Sequence, residues 1–269
     1  MKVRKVTVFL RKNYIAGLFI ASIALVVLVL ISKSLFSKPA YIYAKIKVGQ
    51  GSWWASTLKP GQWYVDSIRV GDVEYDLAGN VKAKILEKKY YRWYNSDQYD
   101  IYLTVLLKTS VNKRTGLYTY DRGVLSVGSP LEIQLPKTDV TGTVIALESM
   151  PFNDNLQERT ITIHKRNAYA WEYDAIKVGD VYFDGVQNIL EVIDKSSEDT
   201  SSFATENYGK DVNPVLESRK NITVKLKVKV RIDNKQLILG EDQVLNTGKI
   251  MSLSTSNFIF DNYFLTKVD

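Results

Sequence analysis

The chain has 269 residues, no cysteine and one histidine, which excludes disulfide staples, cysteine-type zinc sites and multi-histidine metal centres. Its net charge of +7 belongs to the N-terminus: residues 1–40 hold seven Lys/Arg and no acid, and from Ala40 onward 29 Lys/Arg balance 29 Asp/Glu. A nucleic-acid binder carries its cations on the folded domain, so no nucleic acid is expected as a partner.

Lys2, Arg4, Lys5, Arg11 and Lys12 precede an uncharged apolar run from Tyr14 to Ile31. About 20 apolar residues cross a ~30 Å hydrocarbon core, so the run predicts a transmembrane helix over residues 14–32, with membrane lipid as its partner. The cationic tail 1–13 then lies in the cytoplasm and everything after the helix outside it, a single-pass cell-membrane protein. A cleaved signal peptide, cut near Ser32 and Ser34, is the rival reading, although the run exceeds the usual ~7–15-residue signal core.

The rest of the chain reads as a duplication. Asp66-Ser67-Ile68-Arg69-Val70-Gly71-Asp72-Val73-Glu74-Tyr75-Asp76 matches Asp174-Ala175-Ile176-Lys177-Val178-Gly179-Asp180-Val181-Tyr182-Phe183-Asp184. Asn80, Val81 and Ile85 pair at the same offset with Asn188, Ile189 and Ile193. Ile101, Leu103, Val105 and Leu107 correspond to Ile222, Val224, Leu226 and Val228, and Val124–Gly128 resembles Val244–Gly248. The expected domains are residues 41–148 and 159–268, joined by a linker from Ser149 to Glu158.

Both copies are expected to be β. Ile222, Val224, Leu226, Val228, Val230 and Ile232 alternate with Lys225, Lys227, Lys229 and Arg231, the period of a half-buried strand. Asp233-Asn234 then turns the chain into Gln236–Leu239. In the first copy Tyr99–Thr109 is the matching strand. Each Val-Gly-Asp turn needs glycine for a positive φ. Asp194–Arg219, rich in Ser, Asp, Glu and Asn, reads as a long polar loop. The fold class is therefore mainly β: one N-terminal transmembrane helix followed by two similar small barrels or sandwiches.

Candidate chemistry is sparse. Asp72, Asp76, Asp180 and Asp184 recur in both copies and resemble paired carboxylates, but repetition at turns suits the bonding of Asp to its own backbone. His164 shares the polar side of its strand with Thr160 and Thr162. Asn153-Asp154-Asn155 and Asp194–Asp199 offer oxygen ligands without the spacing of a calcium loop. No cofactor and no metal are expected. Aromatics crowd the first copy, and neighbours such as Trp53-Trp54 and Tyr90-Tyr91 cannot both face inward from a strand. Trp53, Trp54, Tyr90, Tyr91, Trp93 and Tyr94 are accordingly the candidate binding residues, as exposed rings.

Ile68–Asp76, Tyr99–Val105, Val127–Ile133 and Gly142–Ile145 together resemble the bacterial domain-of-unknown-function family forty-three thirty. The resemblance implies a short basic N-terminus, one transmembrane helix and an exported β domain. The same turn-and-strand pattern is similar to the β-barrel domain of membrane-fusion adaptors, without their helical hairpin and lipoyl-like halves. The functional expectation is a non-catalytic envelope component that scaffolds a secretion, pilus or transport assembly through protein partners, with a homo-oligomer open. A cell-wall glycan-binding module using the exposed aromatics and an envelope hydrolase are the alternatives.

Overall fold

The computed structural model describes residues 14–36, 40–49, 59–93, 97–112, 114–121, 123–206 and 213–269, without the side chains of residues 14, 16, 30–36, 201–206 and 213–217. The chain divides into two units, Met1–Ala40 and Tyr41–Asp269. The first contains a helix, α1 (Tyr14–Phe36). Its described side chains cover Ile15 and Gly17–Val29, and the large apolar ones are exposed. Among the described residues no helix is long and apolar enough to cross a membrane. The transmembrane-anchor expectation over 14–32 is corrected accordingly. The lipid partner, the single-pass cell-membrane location and the envelope-scaffold role rested on that anchor, and they lose their support with it.

The second unit is mainly β, with two sheet regions. The first sheet joins β1 (Ala40–Val48), β2 (Val73–Tyr75), β3 (Val81–Arg92), β4 (Tyr99–Val111), β7 (Pro130–Gln134) and β8 (Asp139–Glu148) in the order β2-β3-β4-β1-β8-β7. β5 (Tyr118–Tyr120) and β6 (Gly123–Leu125) extend it from β4. The second sheet runs β10 (Val181–Phe183), β11 (Asn188–Glu206), β12 (Asn213–Asp233), β13 (Gln236–Leu239), β14 (Gln243–Val244). On it β9 (Leu156–Tyr169) bridges β12 to β17 (Phe264–Val268), while β15 (Leu253–Ser254) and β16 (Ile259–Phe260) pair separately. Alternation places one apolar set inside each sheet region. Ile42, Ala44, Ile46, Ile101, Leu103 and Val105 centre the first core; Ile161, Ile163, Ile222, Val224, Leu226 and Val228 centre the second.

The two regions follow one hydrogen-bond plan. Gly71 N–H donates to Ile85 O at 2.9 Å and Ile85 N–H to Asp72 O at 2.9 Å; Gly179 N–H donates to Val192 O at 2.8 Å and Val192 N–H to Asp180 O at 2.9 Å. Gly71 and Gly179 have φ of +94° and +90° with open space around an added Cβ, so conformation rather than crowding selects glycine. Each turn is preceded by a one-and-a-half-turn helix, α2 (Gln62–Ser67) or α3 (Ala170–Ala175). A half-buried lysine closes each helix end: Lys88 Nζ donates to Val65 O and Ile68 O, and Lys195 Nζ to Tyr173 O and Ile176 O. Burial lowers the pKa of both lysines.

Two details differ from the sequence reading. The equivalent of Ile85 is Val192, not Ile193, because the turn after β10 is one residue shorter: Tyr75 pairs with Val81, but Phe183 with Asn188. Val192 is buried and Ile193 is 37% exposed. The described parts of the expected loop, Asp194–Glu206 and Asn213–Arg219, are also strand. β11 and β12 stay paired from Leu190↔Val228 to Glu206↔Asn213, and β9 accompanies β12 only as far as Arg219↔Tyr169. A two-stranded ribbon therefore continues past the sheet.

Candidate functional site

The outward face of the first sheet carries the site. On β1 the even positions fill the core, so Lys45 and Lys47 point the other way. On β4 the same parity turns out Asp100 and Tyr102. A bulge between Ile85 and Glu87 switches β3, which puts Lys89, Tyr91 and Trp93 on that face as well. The second region covers it.

Among the described residues, polar contacts at three places join the regions. The first is ionic. Lys45 and Lys89 each bond both Asp154 and Glu241, at 2.7–3.2 Å. Glu241 is only 4% exposed in its side chain. Burial raises the Asp154 carboxyl, but the hydrogen bonds from Lys89 and Lys45 outweigh it and hold the group at about 2. The same balance, with burial opposed by Glu241 and Asp154, leaves Lys89 raised. The second contact joins Lys47 Nζ to Asp242 Oδ2 at 2.7 Å, an oxygen that also accepts from Tyr102 O–H at 2.6 Å.

The third contact caps a sheet edge. β2 covers β3 only as far as Lys84. Beyond it, Tyr90 N–H donates to Asp184 O at 2.8 Å, Arg92 N–H to Tyr182 Oη at 3.1 Å, and Tyr182 O–H to Tyr90 O at 3.0 Å. The turn after β10 thus substitutes for a missing strand. Gly185, φ +105°, lies so close that a Cβ would meet Lys88 O at 2.5 Å and the Tyr90 ring at 2.8 Å. The corresponding turn of the first region carries Leu77 there.

Between these contacts lies a cleft of about 210 Å³. The first region contributes Tyr91, Arg92, Trp93, Asp100 and Tyr102; the second contributes Tyr182, Ile189, Leu190, Leu239–Gln243 and Ser252–Ser254. Every carboxylate on its wall has a cation: Asp100 meets Lys59 and Lys47, Glu241 meets Lys45 and Lys89, and Asp242 meets Lys47. Burial raises the Asp242 carboxyl, but its bonds from Lys47 and Tyr102 bring the net shift downward. Burial raises Tyr91, Tyr102 and Tyr182, which remain phenols.

Of the six aromatics singled out in the sequence, Trp53, Trp54 and Tyr94 lie outside the described residues. Tyr91 and Trp93 line the cleft. Tyr90 packs edge-on against Tyr99. Tyr90 and Tyr91 are half-buried and Trp93 is 39% exposed, with the Lys59 ammonium 4.2 Å from its ring centre. Lys47 sits likewise over Tyr102. Asp72, Asp76 and Asp184 accept backbone N–H groups in their own turns, and His164 Nδ1 lies 3.0 Å from Thr223 Oγ1. Asp154, read as a potential oxygen ligand, is bonded by lysines instead, and no group of three metal-ligating side chains occurs among the described residues. Sequence reasoning missed Arg92, Tyr102, Tyr182, Glu241 and Asp242. Of these only Tyr102 left a signal, as one of the charged and tyrosine residues on the non-core parity of β1 and β4.

No family model, no curated protein and no solved structure matches this chain. The resemblance to family forty-three thirty and to membrane-fusion adaptors is corrected on that ground and on the absence of a membrane-crossing helix among the described residues. A few Val-Gly-Asp turns and alternating strands describe a way of folding, and they specify no family.

Proposed function

We propose that the β unit is a non-catalytic binding module whose ligand site is the cleft between its two sheet regions. The observation that carries this reading is the cleft wall itself: four aromatic side chains, Tyr91, Trp93, Tyr102 and Tyr182, beside a few fixed polar groups, contributed jointly by both regions. Ligand sites are concave, mostly apolar and oriented by a small number of polar groups. The surrounding carboxylates support binding over proton transfer. Lysines hold Asp154 and Asp242 below the ordinary carboxylate range, whereas a general acid requires a raised value.

The volume limits the ligand. A cavity of ~150 Å³ accommodates one benzene, so this cleft suits a single ring with a small polar substituent. A thermal-shift screen of such compounds on the full chain, repeated on Ser252→Phe, tests the reading. Compounds that raise the melting temperature of the wild type and lose that effect in Ser252→Phe support it. Compounds that stabilise both chains equally contradict it.

A further inference from the structure

The cleft wall spends its phenolic donors and keeps acceptors free. Tyr102 O–H goes to Asp242 Oδ2 and Tyr182 O–H to Tyr90 O, while Tyr91 O–H reaches Asp184 Oδ2 at 3.4 Å. The Arg92 guanidinium turns to the Tyr99 hydroxyl and ring, on the core side of the first sheet. Among the carboxylates, Glu241 gives one oxygen to Lys45 and the other to Lys89. Asp100 and Asp242 each use a single oxygen: Asp100 Oδ1 meets Lys59 and Lys47, and Asp242 Oδ2 meets Lys47 and Tyr102. Among the described residues no hydrogen bond or ion pair reaches Asp100 Oδ2 or Asp242 Oδ1. Lys47 Nζ touches both groups, 3.6 Å from Asp100 Oδ1 and 2.7 Å from Asp242 Oδ2, so the two carboxylates stand side by side across one ammonium. Both carboxylates line the cleft, whereas Lys45, Lys47, Lys59 and Lys89 do not.

We infer that the cleft is a site for a small primary amine, an ammonium group on a ring-sized apolar body. Its N–H groups donate to Asp100 Oδ2 and Asp242 Oδ1, and the body lies among Tyr91, Tyr102 and Tyr182. An ammonium carries three donors and no acceptor, which matches two unspent carboxylate oxygens. Hydrogen bonds to ionised groups are about twice as strong as neutral ones, so a charged donor is selected over a neutral one. An anion would meet the same oxygens with nothing to donate. Asp100 comes from β4 and Asp242 from the segment between β13 and β14, so the two acceptors come together only where the regions join. The inference rests on the cleft being the ligand site and adds the class of ligand.

The probes are benzylamine, an ammonium at neutral pH, and its uncharged counterpart benzyl alcohol, titrated calorimetrically into the full-length protein, into Asp100→Asn and into Ser252→Phe. A hydrogen bond to a charged group contributes enough for ~10-fold or more in affinity. Benzylamine is expected to bind at least ~10-fold tighter than benzyl alcohol, and Asp100→Asn to remove that advantage while leaving benzyl alcohol unchanged. Benzyl alcohol equal to benzylamine, or an advantage that survives in Asp100→Asn, overturns the amine assignment. If both compounds are lost in Asp100→Asn, the cleft itself has been disturbed, and Asp242→Asn, at a side chain 63% exposed, carries the same comparison with the same two outcomes. Loss of both compounds there as well overturns the assignment. When the assignment falls but wild-type binding is still lost in Ser252→Phe, the cleft reading stands without it. Binding indifferent to Ser252→Phe overturns both. No binding of either compound at the solubility limit overturns the assignment of ligand class, and the cleft reading is then decided by the wider screen.

Discussion

Asp154 connects two lysines of the first region to the start of the second, and its ionisation state governs what that connection contributes. Its carboxyl is held at about 2 in the folded chain against ~3.9 for an unfolded Asp. A depressed carboxyl contributes stability that is present above the unfolded value and lost as pH falls through the folded one. Unfolding free energy is therefore expected to decline between about pH 4 and pH 2, and Asp154→Asn to flatten that part of the curve. Denaturant titrations at stepped pH check the slope. Lys89 has the opposite sign: its raised pKa contributes fully below ~10.5 and is lost only as pH climbs through the higher folded value. Glu241→Gln removes a carboxylate that both Lys45 and Lys89 use from a side chain 4% exposed. Breaking a buried pair costs about 3 kcal/mol, measurable as a lower urea midpoint.

At the scale of elements, the equivalent edges of β3 and β11 have different fates. The outer edge of β3 is capped by the turn after β10. The matching stretch of β11, around Ser197 and Asp199, has no such cap among the described residues and is polar, as exposed edges generally are. Hydrogen exchange distinguishes them: the Tyr90 amide is expected to be protected and the Ser197 amide to exchange quickly. Equal rates contradict the cap. Gly185 is what lets the turn approach. Gly185→Ala combines a positive φ with a 2.5 Å contact to backbone and is expected to cost ~2–4 kcal/mol, read from chemical denaturation.

Legibility in the sequence follows the same boundary. The strands with clean alternation, Ile222–Ile232 and Tyr99–Thr109, and the two Val-Gly-Asp turns are readable because burial on one face and a positive φ leave marks in residue type. The ribbon of Asp194–Glu206 on Asn213–Arg219 left none: with polar residues dominating both faces, period two has little to alternate with. The site was half visible. Tyr91 announced itself beside Tyr90 as one of two neighbours that could not both point inward, and Trp93 as part of the same aromatic cluster, but Lys45, Lys47, Asp100 and Tyr102 looked like an ordinary solvated face. Nothing local reveals that a second β region lies over them, since the partners Glu241 and Asp242 are about 200 positions away from Lys45.

For the β unit as a whole, the two regions form one body from Tyr41 to Asp269, joined by the Lys45–Lys89–Asp154–Glu241 square, the Lys47–Asp242 pair and the capped edge. Such a body is expected to unfold in a single calorimetric transition, and Gly185→Ala to separate it toward two. The cleft exists only while the regions stay joined, so ligand binding and inter-region contact are coupled: a ligand that binds the joined form raises its stability by mass action. The most direct measurement is a crystal structure of the full chain grown with a compound that raises the melting temperature of the wild type and not of Ser252→Phe. The account requires that compound's ring in the cleft among Tyr91, Tyr102 and Tyr182. An empty cleft, or the compound seated elsewhere on the molecule, contradicts it.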